Sequence, residues 1–183
     1  MRTRIATLLF LALTASVQAQ AIAPGEEGAL KDILAPTPGT HICFARTYDA
    51  AHLKAHPKQT VSYIEFRLAY YRHDPDDGYP EGQRNYYFDL RAKRKGSDNM
   101  ASTGGECSSR DGTIFCGVDC DGGGVMLKND ADAINLSFGD MWGISMTNEC
   151  GGGEGSGPDL LPGDDDKAFR LTKIEACPAY DDW

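Results

Sequence analysis

Three cysteines stand within fourteen residues in the stretch CSSRDGTIFCGVDC, residues 107–120. Thiols at this density hold a metal, carry out redox chemistry or staple a fold. Zinc ribbons and knuckles use paired C-x2-C clusters, whereas the spacing here is C-x8-C-x3-C. The chain contains no C-x-x-C, so a thioredoxin-like motif is absent as well. Hairpin geometry favours the staple. Asp111-Gly112 is a dipeptide that two-residue type I′ turns prefer, because both central residues need positive φ. With the turn placed there, Arg110 opposes Thr113, Ser109 opposes Ile114, Ser108 opposes Phe115 and Cys107 opposes Cys116. Alternation outward from the turn puts the cysteines at a non-hydrogen-bonded pair, where Cα atoms lie about 4.5 Å apart, within the reach of a disulfide. Cys120 lies farther along the same extended run, about 13 Å from Cys116 at the rise of a strand, and must pair elsewhere. The expected set is Cys107 with Cys116, Cys120 with Cys150, and Cys43 with Cys177. Only the first pair follows from register, since six cysteines allow many connectivities.

Other residues invite chemistry and weigh less. His52 and His56 sit four apart, but a zincin places Glu directly after its first His, and Leu53 stands there; surface or packing roles fit both. His41 and His73 have no local partner. Aspartates gather as DPDD, DCDGGG and PGDDD, and Asp-Gly turns offer the hard oxygens that calcium takes. Asp119, Asp121, Asp164, Asp165 and Asp166 are the calcium candidates, although none sits in an EF-hand loop. EGSGP around Ser156 lacks the first glycine of a nucleophile elbow, and no S-x-x-K occurs. Carboxylates carried on strands meet only in three dimensions, so Asp119, Asp121 and Glu149 form the candidate set for a hydrolase. One basic island, Arg91, Lys93, Arg94 and Lys95, reads as charge blunting an exposed strand edge.

The elements that must position these groups are strands. In residues 60–72, Ile64, Phe66, Leu68 and Tyr70 fall on one face, with Glu65 and Arg67 on the other. In residues 85–94, Tyr86, Phe88, Leu90 and Ala92 separate in the same way from Tyr87, Asp89, Arg91 and Lys93. This period of two marks strands with one buried face. Shorter runs follow at Ile114, Cys116, Val118 and Cys120; at Val125 and Leu127; at Ile134, Leu136 and Phe138; and at Trp142, Ile144 and Met146. A last run, AFRLTKIEAC, ends at Cys177. Turn texts such as RDGT, DGGG and KNDAD separate them. Short connections force antiparallel neighbours. The expected fold is therefore all-β, a single antiparallel meander of about eight or nine strands closed into a small barrel, with a two-sheet sandwich as the alternative. One short helix, residues 49–55, follows the first strand, with Asp49 as N-cap and Pro57 beyond its end.

MRTRIATLLFLALTASVQAQ carries Arg2 and Arg4, an apolar run over residues 5–15, and small residues before Gln20. It reads as a secretory signal peptide cut after Ala19, or alternatively after Ala21. No cysteine follows the run as a lipid-attachment site would require, and no later stretch reaches the roughly 20 apolar residues of a membrane helix. The expected organisation is a signal peptide at 1–19, a flexible arm at 20–38, and one β-domain at 39–183 with a Gly/Asp-rich loop at 151–166. The whole chain carries a formal charge of −9. Loss of the signal peptide leaves 16 Lys plus Arg against 27 Asp plus Glu, which disfavours nucleic acid and anionic lipid as partners.

Two stretches, YDAAHLKAHPKQTV (residues 48–61) and CGVDCDGGG (residues 116–124), resemble recurring segments of an uncharacterised group of exported bacterial proteins. The resemblance implies a bacterial exported protein and no particular activity. An even cysteine count in such a compartment favours structural bridges. The functional expectation is a non-enzymatic binding protein of the periplasm or the exterior. Its ligand would be a small molecule within the barrel, near Tyr70, Tyr86 and Phe88, or a basic protein. An exported carboxylate hydrolase and a calcium-stabilised surface domain are the alternatives, and no other cofactor is expected.

Overall fold

The structure, a computed structural model, describes residues 21–147, 150 and 157–177. The signal-peptide reading and Glu149 lie outside the described residues, as does Ser156. Eight strands form a closed barrel: β1 (Thr40–Thr47), β2 (Val61–Arg72), β3 (Arg84–Arg94), β4 (Met100–Arg110), β5 (Thr113–Gly117), β6 (Gly124–Asp130), β7 (Ala133–Ser137) and β8 (Ala168–Ile174). Each strand pairs antiparallel with the next, and β8 returns to β1 through the pairs Cys43 with Ile174, Phe44 with Lys173 and Ala45 with Thr172. The six-residue helix α1 (Ala50–Ala55) follows β1, and Asp49 caps it by accepting from the His52 amide at 2.7 Å. Among the described residues no helix is long and apolar enough to cross a membrane.

The alternation read from sequence is the inward face of the wall. Ile64, Phe66, Leu68 and Tyr70 of β2 lie opposite Ala92, Leu90, Phe88 and Tyr86 of β3, and all eight are buried. An eight-stranded barrel has an interior just wide enough for side chains to fill. Phe66 and Phe88 stack at 5.7 Å between ring centroids, and Tyr70 meets Tyr86 edge-on at 4.9 Å.

The β4–β5 hairpin has the expected register, with Cys107 opposite Cys116. Asp111 and Gly112 adopt φ of 51° and 76°, the left-handed pair that a type I′ turn demands. All three disulfides form as expected, joining Cys107 to Cys116, Cys120 to Cys150 and Cys43 to Cys177.

Three expectations are corrected. The segment read as a flexible arm is docked: Gly28–Asp32 forms a 3-10 turn whose Leu30 is completely buried in the core. Backbone bonds replace the missing periodicity as the anchor. Ile22 N–H donates to Arg84 O at 2.9 Å, Ala29 N–H to Ser109 Oγ at 2.9 Å, and the Tyr86 hydroxyl to Leu34 O at 2.8 Å. Gly28, at φ 55°, lies so close to Ser109 that a Cβ would stand 2.5 Å from its Oγ. The run at Trp142, Ile144 and Met146 is not a barrel strand. Gly139 and Gly143 take positive φ there, and Ile144 instead bridges Gly123 and Leu160. Finally, the basic island blunts no edge, because β3 is paired on both sides. Arg94 donates to Asp159 O and Thr60 Oγ1, and Lys95 Nζ reaches Leu53 O at 3.3 Å, so the island ties α1 and the segment before β8 to the barrel rim.

Leu30→Ala should cost about 2–5 kcal/mol, the range for emptying a buried leucine site. Urea unfolding of the two proteins measures this. A change below about 0.5 kcal/mol, the size typical of surface substitutions, would show that the arm contributes nothing to the core.

Candidate functional site

Tyr70, Tyr86 and Phe88, expected to face a ligand in the barrel, are all buried in the core, the two tyrosines against each other and Phe88 against Phe66. The open space lies on the outer wall. Side chains at odd positions of β3 point outward, and so do those at even positions of β4, because Tyr87 opposes Glu106 and Tyr86 opposes Cys107. Register therefore brings Asn85, Tyr87 and Glu106 together on the outside. The docked arm supplies a second wall through Ala21, Ile22 and Glu26, and Phe115, Val118 and Asp119 close the third side around a cleft of about 500 Å³.

The far end of the cleft is built by an unusual turn. Cys120 and Asp121 both adopt left-handed φ, at 58° and 61°, and Gly122 N–H donates to Asp119 O at 3.1 Å. Left-handed backbone costs roughly 1–2 kcal/mol for each non-glycine residue, so the surroundings must hold it. Val118 N–H bonds Gly123 O at 3.0 Å, Ser145 N–H bonds Gly122 O at 2.7 Å, and Cys120 is tied to Cys150. Asp119 and Asp121 are presented from this fixed turn. A second hollow of about 560 Å³ adjoins the first, sharing Phe115, Val118 and Asp119 and extending to Asp121 and Trp142.

Electrostatics within the cleft are one-sided. Glu26, Glu106 and Asp119 line it, against a single guanidinium from Arg110 at the hairpin tip. Burial pushes the Glu106 carboxyl above its ordinary range. Asn85 approaches as a donor and offsets part of the rise, whereas the charge of Asp119 adds to it. Burial and the neighbouring Glu106 charge push the Tyr87 phenol up to about 12. His73 Nε2 lies 2.6 Å from that hydroxyl, and the Tyr71 ring flanks both. Asn85 is 2% exposed, lines the cleft, and has an Oδ1 that accepts no hydrogen bond among the described residues. A buried acceptor left unsatisfied costs about 1–3 kcal/mol.

The remaining candidates are placed elsewhere. Asp164, Asp165 and Asp166 do not join Asp119 and Asp121; they clamp the segment entering β2. Asp164 pairs with Lys58, Asp165 accepts from the Lys58 amide at 3.0 Å, and Asp166 accepts from the Thr60 amide and hydroxyl, each at 2.6 Å. Among the described residues no three His, Cys, Asp or Glu side chains gather as a metal-holding group. The His52 and His56 rings stack at 4.4 Å, and His52 Nε2 is 2.9 Å from Gln59 Oε1, a packing arrangement. Glu65 and Arg67, assigned to the polar face, lie outside the barrel as expected yet are buried there, opposite Arg91 and Asp89 across the strands. Sequence reasoning missed Asn85, Glu106 and Phe115 as site residues. The only available signal was the hairpin register, which already placed Ser108 against Phe115.

Comparisons of the chain with protein-family models, with curated proteins and with solved structures gave no match.

The raised Glu106 carboxyl has a definite consequence for stability. Its neutral form is favoured in the fold, so its contribution is full below the ordinary carboxylate value of about 4.3 and is lost as pH rises through the higher folded value. Glu106→Gln should therefore gain stability over the native protein between pH 4 and pH 8. Thermal melts at the two pH values check it, and a native-minus-variant difference independent of pH would count against the raised carboxyl.

Proposed function

We propose that this protein is an exported, disulfide-stapled binding domain that uses its outer wall, and that the cleft between the arm and the β4–β5 hairpin takes a cationic group. One observation carries the reading: the buried Asn85 Oδ1 lacks a donor in a cleft whose charged lining is three carboxylates against one guanidinium. A site that presents acceptors suits a ligand that presents only donors. Guanidinium and ammonium groups are of that kind, with five and three N–H donors and no acceptor. Charge-assisted bonds to Glu106 and Asp119 would add strength, and the acidic surface would speed encounter with a basic partner. The three disulfides support export, because such bridges persist in oxidising compartments.

Arginine amide is the direct probe. Titration followed by amide resonances should move Asn85, Glu106, Ser108 and Asp119 together and saturably, while acetate at equal ionic strength leaves them still. Asp119→Asn, at an exposed position, should weaken binding at least threefold, and Asn85→Leu should remove it. Affinity should also fall as the pH drops through the titration of Glu106, because protonation removes the charge that the cation meets. Absence of saturable shifts in a folded sample would sink the proposal.

A second reading, a carboxylate-dependent hydrolase, is favoured by the raised Glu106 carboxyl beside Asp119 in one open cleft. Paired carboxylates with differing proton affinities are the usual acid and base of glycoside cleavage. It requires turnover of a chromogenic glycoside that Glu106→Gln abolishes. Binding of the cation without any turnover leaves the first reading alone.

A further inference from the structure

Two aromatic rings at the cleft are seated in an uncommon way. Phe115 of β5 points outward, and its ring lies over the paired glycines Gly117 and Gly124. A Cβ on Gly117 would stand 2.7 Å from Phe115 Cε1, and one on Gly124 would stand 2.7 Å from Cε2. The Trp142 ring lies over Gly123, where a Cβ would be 3.2 Å from Cε2. Each ring thus covers bare backbone with one face, as aromatic side chains do over strand glycines. Each also remains open on its other side, Phe115 being 38% exposed and Trp142 50% exposed. Phe115 borders both hollows, and Trp142 borders the second.

We infer that the cation recognised here is an arginine side chain of a basic partner protein, with its guanidinium stacked on Phe115 and its apolar neighbours seated on Trp142. The inference rests on the cation-binding reading above and names its ligand. Guanidinium is the donor group that also stacks on aromatic faces, and it does so while hydrogen-bonding carboxylates in its own plane. Phe115 beside Glu106 and Asp119 offers both at once. A free small cation would occupy the first hollow and leave Trp142 idle. A protein segment would cover both hollows, and buried tryptophan and arginine are the residues that dominate protein interfaces. The lining holds three carboxylates and one guanidinium, on a chain of net charge −9, so the complementary surface is basic.

Two capped tripeptides separate this inference from the reading beneath it. Gly-Arg-Gly carries the cation alone, and Leu-Arg-Leu adds apolar flanks. Calorimetric titration of the full protein should show Leu-Arg-Leu binding at least tenfold more tightly. Trp142→Ser should erase that advantage while leaving Gly-Arg-Gly affinity unchanged. Gly117→Ala, whose Cβ displaces the Phe115 ring, should weaken both peptides. Equal affinity of the two peptides for the native protein would overturn the inference while leaving a cation site in place, as would an advantage that survives Trp142→Ser. Failure of both peptides to bind a folded sample would overturn the inference and the underlying reading together.

Discussion

Closure of the meander is the constraint on which the rest of this structure depends. β8 reaches β1 over a short register, and the Cys43–Cys177 bridge fastens the chain just beyond it. A sheet closed on itself has no free edge, and closure at eight strands leaves an interior that side chains alone can fill. The aromatic rings that the inward face of β2 and β3 carries are consumed in that filling. The open hollows thereby lie on the outside of the wall, where register assembles polar groups that the interior could not accept.

The N-terminal segment completes both tasks. Leu30 enters the core, and the backbone before it bonds Arg84, so the same short stretch that fills the core also walls the outer cleft. Its hold comes from hydrogen bonds made by its own backbone groups and from Leu30, with Ile22, Ile33 and Leu34 packed half-buried beside the core. Neither leaves a periodic signature. The turn at residues 119–122 shows the same economy: a disulfide and cross-loop backbone bonds maintain two left-handed residues, and the reward is a pair of aspartates fixed beside Phe115.

Polar groups on the outer wall divide into two kinds. Arg67 opposite Asp89, with an ion pair at 3.4 Å, and Glu65 opposite Arg91 are matched across strands, as cross-strand pairs are in stable sheets. The cleft lining is mismatched instead, with an excess of acceptors and carboxylates around Asn85. Across the strands each charge meets an opposite one, and burial still raises the Asp89 carboxyl against the pull of Arg67 and Arg91, whereas the cleft leaves the Asn85 acceptor without a donor. Departures of this second kind from local consistency are where functional sites are expected.

Local sequence determined the strands, the inward set from Ile64 to Tyr70 and from Tyr86 to Ala92, the Asp49 cap and the Cys107–Cys116 register. These depend on period-two alternation and on turn residues only a few positions apart. Antiparallel closure was legible as well, because short turns leave little other choice. What only the tertiary structure decided was the docking of residues 21–34, the diversion of residues 142–146 into a bridge, and the meeting of Asn85, Glu106, Phe115 and Asp119. Those four residues come from three strands and a turn, and the docked arm walls the cleft they share. Their contact is set by the shear of a closed barrel and by backbone bonds between distant segments, quantities that no window of neighbouring side chains encodes. For that reason the sequence located the core and the Cys107–Cys116 bridge, and pointed inward for a ligand where packed side chains fill the barrel.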